Sequence, residues 1–153
     1  MIKIAEQLAD IISEYSEKLY LIPEEKFTLK VSASKWSNKE ELGHLVDSAH
    51  NNLRRFVVSQ YEENPKVVYD QNFWNEAFSY QHQPSKELVD LWKLLNQQVC
   101  FVLKSMPEKN SALKCNTGKE QPKLHSIEWI AEDYIRHLLH HVHHILELEE
   151  IPY

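Results

Sequence analysis

Four long segments of this chain repeat apolar residues with the period of an α-helix. In the first, Ile4, Leu8 and Ile12 fall on one face. Helices of 20 residues or more need partners for their apolar faces, so the pattern predicts helices packed on helices rather than a sheet. The four segments cover about residues 2–20, 37–61, 84–106 and 126–150.

Capping signals bound these segments. Ser37 stands three residues before Glu40, the spacing of a capping box, so Ser37 is a predicted N-cap. Pro84 and Ser85 mark the start of the third helix, and Pro107 marks its end. The sequence therefore sets both ends of the third helix and the start of the second.

The connections between the predicted helices are unequal in length. Residues 62–83 form a long, aromatic-rich connection that we expect to hold one short helix. Residues 114–125 carry an Asn-Thr-Gly turn, which indicates a small hairpin. We therefore predict an all-α four-helix bundle with long crossover connections, formed as a single domain over residues 1–153.

Composition excludes several classes of function. The chain has only two glycines, too few for a Rossmann fingerprint or a phosphate-binding loop. Its net charge of −6 disfavours nucleic acid as a partner. The N-terminal segment lacks the apolar stretch of a signal peptide, and no apolar run is long enough to span a membrane. We expect a cytoplasmic protein with Cys100 and Cys115 reduced.

The last helix contains five histidines within eight positions. A residue advances 100° around a helix, so positions four apart lie on one face. On a helical wheel His141 lies about 65° from the apolar direction and His137 about 105°, and these two form the pair that leans inward. His140 points nearly opposite the core, and His143 is expected to face water. The position of His144 stays undecided.

Two imidazoles four residues apart on a helix supply half of a metal site. The residue after His137 is Leu138, so the glutamate of the zinc protease motif HExxH is absent. A third ligand has to come from elsewhere in the chain. Its candidates are His44, His50, His82 and His125. His44 lies on a polar stripe of the second helix, which could equally be its solvated face.

Three stretches in this order resemble one known family. "KWSNKEELGHLVDSAHNNLRRF", "YDQNFW" and "YIRHLLHHVHHI" are similar to segments of the DinB-like superfamily of four-helix metalloproteins. The resemblance is strongest to its YfiT-like metal-dependent hydrolases, some of which are described as bacillithiol S-transferases. It spans the chain from the second helix to the fourth, whereas the first helix agrees only in length and amphipathicity.

The resemblance implies a set of metal ligands. In that family a histidine follows the tryptophan at the start of the second helix, and this position is His44, eight residues after Trp36. The paired histidines of the family's last helix correspond to His137 and His141, the pair that the helical wheel also selects. One divalent metal ion per chain is therefore expected.

Further residues are expected at the pocket with less definite roles. The segment after His44 resembles the family's and carries Asn51 and Arg55, while Asp47 is a candidate to orient a ligand, as is Glu132. The crossover resembles a loop over the family's site, which makes Asp70 and Trp74 candidates for a lid or pocket wall. Trp74 could instead anchor the crossover in the core. No residue stands out as a general base.

The expected function follows from a metal held by three neutral imidazoles. Such an ion, Zn²⁺ or Ni²⁺, keeps its charge and an open coordination position, so it can activate a water or a thiol. We predict a metal-dependent hydrolase or thiol S-transferase acting on a small molecule, with a low-molecular-weight thiol as one partner. The alternative is a non-catalytic bundle in which the metal clamps two helices. A homodimer through helix faces is plausible in either case.

Overall fold

The computed structural model describes residues 1–149 and 151–153 of the chain. Its framework consists of four long helices, as the periodicity predicts. They are α1 (Ile2–Tyr20), α3 (Asn38–Val58), α5 (Ser85–Ser105) and α6 (Ile127–Ile145).

The predicted capping signals are confirmed. Ser37 caps α3: its hydroxyl accepts a hydrogen bond from the Glu40 amide, and the Glu40 carboxylate accepts one from the Ser37 amide. Pro84 precedes the first residue of α5, and Ser126 caps α6 by accepting from the Trp129 amide. These caps satisfy amides that the first turn of each helix would otherwise leave unpaired.

The last helix is shorter than predicted. It ends at Ile145 rather than near residue 150, which itself lies outside the described residues. Glu147 adopts a positive φ of 55°, and the amides of Glu147 and Leu148 bond the carbonyls of His144 and His143. A left-handed residue with such bonds closes a helix, and the chain can then turn back. Residues 147–149, Glu-Leu-Glu, contain no glycine or proline that would have indicated this stop.

The four helices form a bundle in which each has two main packing partners. Helix α3 packs against α5 and α6, and α1 packs against the same two. Helices α1 and α3 are therefore diagonal to each other, as are α5 and α6. The connections from α1 to α3 and from α5 to α6 each span a diagonal of the bundle, which explains why these two connections are long.

Short elements occupy these two connections and the connection from α3 to α5 (residues 59–84), which joins adjacent helices and is called the crossover below. Helix α2 (Glu24–Thr28), which the sequence analysis did not identify, places Phe27 in the core. Helix α4 (Gln71–Phe78) and a 3-10 turn at Tyr80–His82 correspond to the short helix expected between α3 and α5. A second 3-10 helix spans Glu108–Ala112.

The expected hairpin is present between α5 and α6. Strands β1 (Lys114–Asn116) and β2 (Leu124–Ser126) pair antiparallel, with Cys115 opposite His125. The Val67 amide donates to the Asn116 carbonyl, which ties the crossover after α3 to this hairpin. The hairpin and crossover thus form a wall beside α3 and α6.

The core fills the space between the helices. Trp92 of α5, Phe56 of α3 and Leu138 of α6 are each completely buried. Cys100 and Cys115 are buried free thiols. Within the described part of the chain, no helix combines the length and the apolarity that are needed to cross a membrane.

Candidate metal centre

Helices α3 and α6 bring three of the predicted residues together. The ligand-type nitrogen atoms of His44, His137 and His141 all lie within 4.8 Å of one another. The Nε2 atoms of His44 and His137 lie 3.2 Å apart. The three rings lie 4.6–5.1 Å apart by centroid and are inclined to one another by 71–80°. They therefore surround a common point instead of stacking.

This geometry fits one metal ion. Nitrogen ligands about 2.0–2.1 Å from a tetrahedral zinc are roughly 3.3 Å apart, close to the observed separation of the two Nε2 atoms. The Nδ1 atom of His44 is buried and has no hydrogen-bond partner among the described residues. A metal at Nε2 would leave this Nδ1 unpaired among the described residues, so the fit rests on the spacing of the ligand nitrogens and not on Nδ1.

Burial keeps two of the imidazoles in the form that binds metal. Desolvation lowers the pKa of His44 to about 4, with a further contribution from His141. Desolvation also lowers the pKa of His137 to about 2, and the neighbouring histidines add to the effect. Both rings are therefore neutral at pH 7, and no proton has to leave them before a metal binds.

Glu41 fixes the third imidazole. Its Oε1 accepts a 2.7 Å hydrogen bond from Nδ1 of His141, which leaves Nε2 of that ring free to bind a metal. Its Oε2 accepts a second 2.7 Å bond from Nδ1 of His144. Burial opposes the charge on Glu41, but these two bonds outweigh it and lower its pKa. Glu41 therefore stays ionised and orients His141.

Sequence reasoning missed Glu41, although one signal was available. Glu41 precedes His44 by three residues, which places both on one face of α3. The residue named instead, Asp47, is fully buried away from the histidines and accepts a 2.5 Å hydrogen bond from the Tyr80 hydroxyl. Burial raises the pKa of Asp47 to about 6, against the effect of that bond. Glu132, the other candidate, is exposed on α6.

Two further histidines of the last helix are less exposed to solvent than expected. His143, expected to face water, is half-buried and its Nε2 lies 2.8 Å from the Tyr15 hydroxyl of α1. His140, also expected to face water, is half-buried because its Nδ1 bonds the Ile151 carbonyl at 2.7 Å. Periodicity on α6 alone could not foresee these partners, since both belong to other segments. His144 is exposed and bonds Glu41.

A cleft of about 340 Å³ leads to His44 and His137. Helix α3 forms one wall, α6 the facing wall, and the crossover and hairpin complete it. Its lining residues are His44, Ser48, Asn52 and Arg55 from α3; Trp129, Ile130, Asp133, Tyr134 and His137 from α6; Tyr69 and Gln71 from the crossover; Thr117, Lys123 and His125 from the hairpin region; and Tyr153.

Of the five predicted pocket residues, only Arg55 lines this cleft. Asn51 does not line the cleft, and its side-chain amide donates to the Asp47 carbonyl within α3. The next residue, Asn52, lines the cleft instead. Asp70 is exposed and caps α4 through the amides of Asn72 and Phe73.

The other crossover residue, Trp74, packs beside Tyr69 and Phe78, with ring centroids 5.5 and 5.8 Å away. These contacts lie within the crossover itself, and Trp74 is half-buried outside the hydrophobic core of the described residues. The wall itself is formed by Tyr69 and Gln71, which flank Asp70 in the chain.

The remaining candidate ligands lie apart from the three-histidine cluster. His125 lines the cleft but stacks on Trp129 at 3.8 Å. His82 is exposed in the 3-10 turn, and burial lowers the pKa of His50 on α3. Across the residues described, His44, His137 and His141 form the one group of three or more metal-binding side chains close enough to share an ion.

Fold and site together define a four-helix bundle with three clustered histidines on two adjacent helices. A family model of the DinB superfamily matches residues 6–145. The chain belongs to the DinB superfamily, as its sequence motifs indicate. No curated protein sequence matches the chain.

Two solved proteins share the fold. YfiT from Bacillus subtilis, described as a probable metal-dependent hydrolase with an unusual four-helix bundle topology, aligns with a TM-score of 0.85 at 20% identity, over 95% of this chain and 83% of that one. A mycothiol-dependent maleylpyruvate isomerase aligns with a TM-score of 0.76 at 16% identity, over 99% of this chain and 65% of that one. An alanine variant of this isomerase gives a TM-score of 0.77.

Proposed function

We propose that this protein is a metal-dependent enzyme that transfers a thiol to a small electrophile or hydrolyses a small substrate. One divalent ion, Zn²⁺ or Ni²⁺, would be held by His44, His137 and His141. The observation that carries the proposal is the convergence of these three imidazoles at the end of an open cleft. The fold shared with a metal-dependent hydrolase and a thiol-dependent isomerase supports it.

The protein's own residues prepare the site for this chemistry. Burial keeps His44 and His137 neutral, and Glu41 holds the imidazole of His141 with its Nε2 towards the cluster. A bound divalent ion would supply positive charge that lowers the pKa of a water or thiol at the open position. The ring of Trp36 packs beside His44, with the two ring centroids 5.3 Å apart.

A non-catalytic metal clamp is the second candidate, since the three histidines join α3 to α6. The cleft favours an enzyme, because a purely structural site is normally closed by its four protein ligands. Three protein nitrogens beside a 340 Å³ opening leave room for a substrate.

A two-part assay separates these candidates. Zinc-loaded or nickel-loaded protein is incubated with a low-molecular-weight thiol and a chlorinated aromatic electrophile, and in parallel with an activated ester or amide. We expect one reaction to exceed both the uncatalysed rate and the rate with His44→Ala, whereas His82→Ala, which alters an exposed histidine, should retain wild-type turnover. If metal-loaded wild type is no faster than His44→Ala with any thiol or ester tested, the clamp is favoured.

Four further parts of this proposal are the identity of the thiol, the oligomeric state, the location in the cell and the number of domains. Bacillithiol is one low-molecular-weight thiol to test, and comparison with glutathione and cysteine would show a preference. A homodimer and a cytoplasmic location also stay predictions, which light scattering and cell fractionation would test. The single domain predicted over residues 1–153 is tested by one cooperative unfolding transition.

A further inference from the structure

Arg55 lies in the same cleft as the histidines. Arg55 follows His44 by 11 residues on α3, and Ser48 and Asn52 line the cleft between them. The two backbone positions are roughly 16 Å apart along the helix axis, but the long side chain brings the guanidinium near enough to His137 to contribute to the lowered pKa of that histidine. The cleft therefore presents the histidines and a guanidinium to the same space.

The hydrogen bonds of Arg55 go to neutral groups. Its Nε and Nη2 donate to the Val67 carbonyl at 3.2 and 3.1 Å, and its Nη1 donates to Oδ1 of Asn52 at 3.1 Å. A guanidinium has five N–H groups, so three of them are used. Among the described residues no carboxylate forms an ion pair with Arg55. Burial lowers its pKa, as expected for a cation removed from water.

The acidic side chain in the cleft already accepts hydrogen bonds from other residues. Asp133 accepts from Nη2 of Arg136 at 3.0 Å through Oδ1, and from the Tyr153 hydroxyl at 3.0 Å through Oδ2. Arg55 is thus a partly buried cation with spare donors, and Asp133 acts on it only through space, without an ion pair, so an added anion would stabilise it.

A second cation faces the same space. Lys123, from the hairpin region, lines the cleft and is exposed. The chain as a whole carries a net charge of −6, so its overall field would repel an anionic ligand. Local cations are therefore needed if an anion is to enter the cleft.

We propose that Arg55, assisted by Lys123, binds a carboxylate or similar anionic group of a small substrate whose reacting end reaches His44 and His137. This inference rests on the proposed function for the reaction at the histidines, but anion binding itself needs only the cleft. Arg55 also anchors the crossover through Val67. A neutral donor could fill that structural role, so it does not account for a charged group at this position.

The test compares a dicarboxylate with its uncharged analogue. Calorimetric titrations of zinc-loaded protein use succinate and succinamide as probes. Wild type should bind succinate at least about tenfold more tightly than succinamide, since a hydrogen bond to a charged group contributes roughly 1.5–3 kcal/mol. Equal binding of the two probes by wild type would overturn the proposal whatever any variant does.

Variants at adjacent positions then locate the effect. Arg55→Gln should weaken succinate binding about 10- to 100-fold and leave succinamide unchanged, whereas Arg54→Gln, which alters the exposed neighbouring arginine, should match wild type. Arg55→Lys keeps the charge and should recover part of the affinity, and Lys123→Gln should cost roughly threefold. Wild-type succinate affinity in folded Arg55→Gln, or parallel losses for both probes, would refute the assignment.

Repeating the titrations on metal-free protein separates this inference from the proposed function. A preference for succinate that depends on Arg55 should persist without metal. Loss of that preference would mean that succinate binds the ion, and it would contradict the role of Arg55. Failure of the metal or turnover assays would instead refute the proposed function and leave the anion measurement intact.

Discussion

Replacing Glu41 with glutamine tests how the metal centre is held together. Glu41 accepts two 2.7 Å hydrogen bonds through different oxygens, one from His141 and one from His144. Glutamine has a single acceptor oxygen, and its amide group would face an N–H donor at the other position. Either His141 loses its charge-assisted partner or one of the two imidazoles must change tautomer.

The expected loss of metal affinity can be estimated from these contacts. Loss of a partner that orients a metal-binding imidazole lowers metal affinity about 10- to 100-fold, or about 1.4–2.7 kcal/mol. His144 is exposed and reaches the cluster only through Glu41. His144→Ala should therefore weaken binding by no more than about threefold, since His144 is exposed and its bond to Glu41 contributes little.

Chelator competition measures the zinc Kd of each variant. The expected order of increasing Kd is wild type, His144→Ala, Glu41→Gln and His141→Ala, with exposed Glu25→Gln equal to wild type. A wild-type Kd in folded Glu41→Gln would refute the argument that this carboxylate orients His141. Equal losses in His144→Ala and Glu41→Gln would show that His144 holds the site.

Two further predictions concern stability. Gly43→Ala should destabilise the protein by about 1–3 kcal/mol in urea denaturation, because the new Cβ would lie 2.2 Å from Cδ2 of the buried Tyr80 ring; unchanged stability would contradict this packing. Metal-free protein should lose stability as pH falls from about 6.5 towards 4, since the unfolded chain protonates its histidines before folded His44 and His137 do. The free energy of unfolding should change by about 1.4 kcal/mol per pH unit for each histidine. Asp47 partly offsets this change, because its raised pKa acts in the opposite sense. Thermal melts across this pH range should show a smaller change in stability for His137→Gln.

The sequence predicted the framework because its signals are local. Helical periodicity and the Ser37 capping box depend on residues a few positions apart, and the structure contains both. The end of α6 could not be predicted, because Glu147 adopts a left-handed conformation that its side chain does not favour. The short helix α2 was also missed, since five residues are too few to show a period.

The site residues that could be predicted from the sequence are those that share one face of a single helix. His137 and His141 follow from the geometry of α6, while His44 needed the family resemblance in addition. Asn51 and Asn52 differ by one position, and that 100° step decides which of them lines the cleft. Glu41 was missed because its role depends on how α3 packs against α6.

Contacts between distant segments also limited the prediction. The bond between Tyr15 and His143 joins residues 128 positions apart, and the cleft wall combines the crossover with the hairpin. Arg55 was expected near the pocket, but the neutral character of its bonding partners is visible only in the folded chain. Such features depend on tertiary packing, which local sequence patterns do not encode.

Metal content per chain tests the central claim most directly. Purified protein, analysed by inductively coupled plasma mass spectrometry, should carry about one divalent ion per chain. Alanine at His44, His137 or His141 should remove most of it, while alanine at the exposed His82 should not. Full metal content in folded variants of both His137 and His141 would contradict the three-histidine centre.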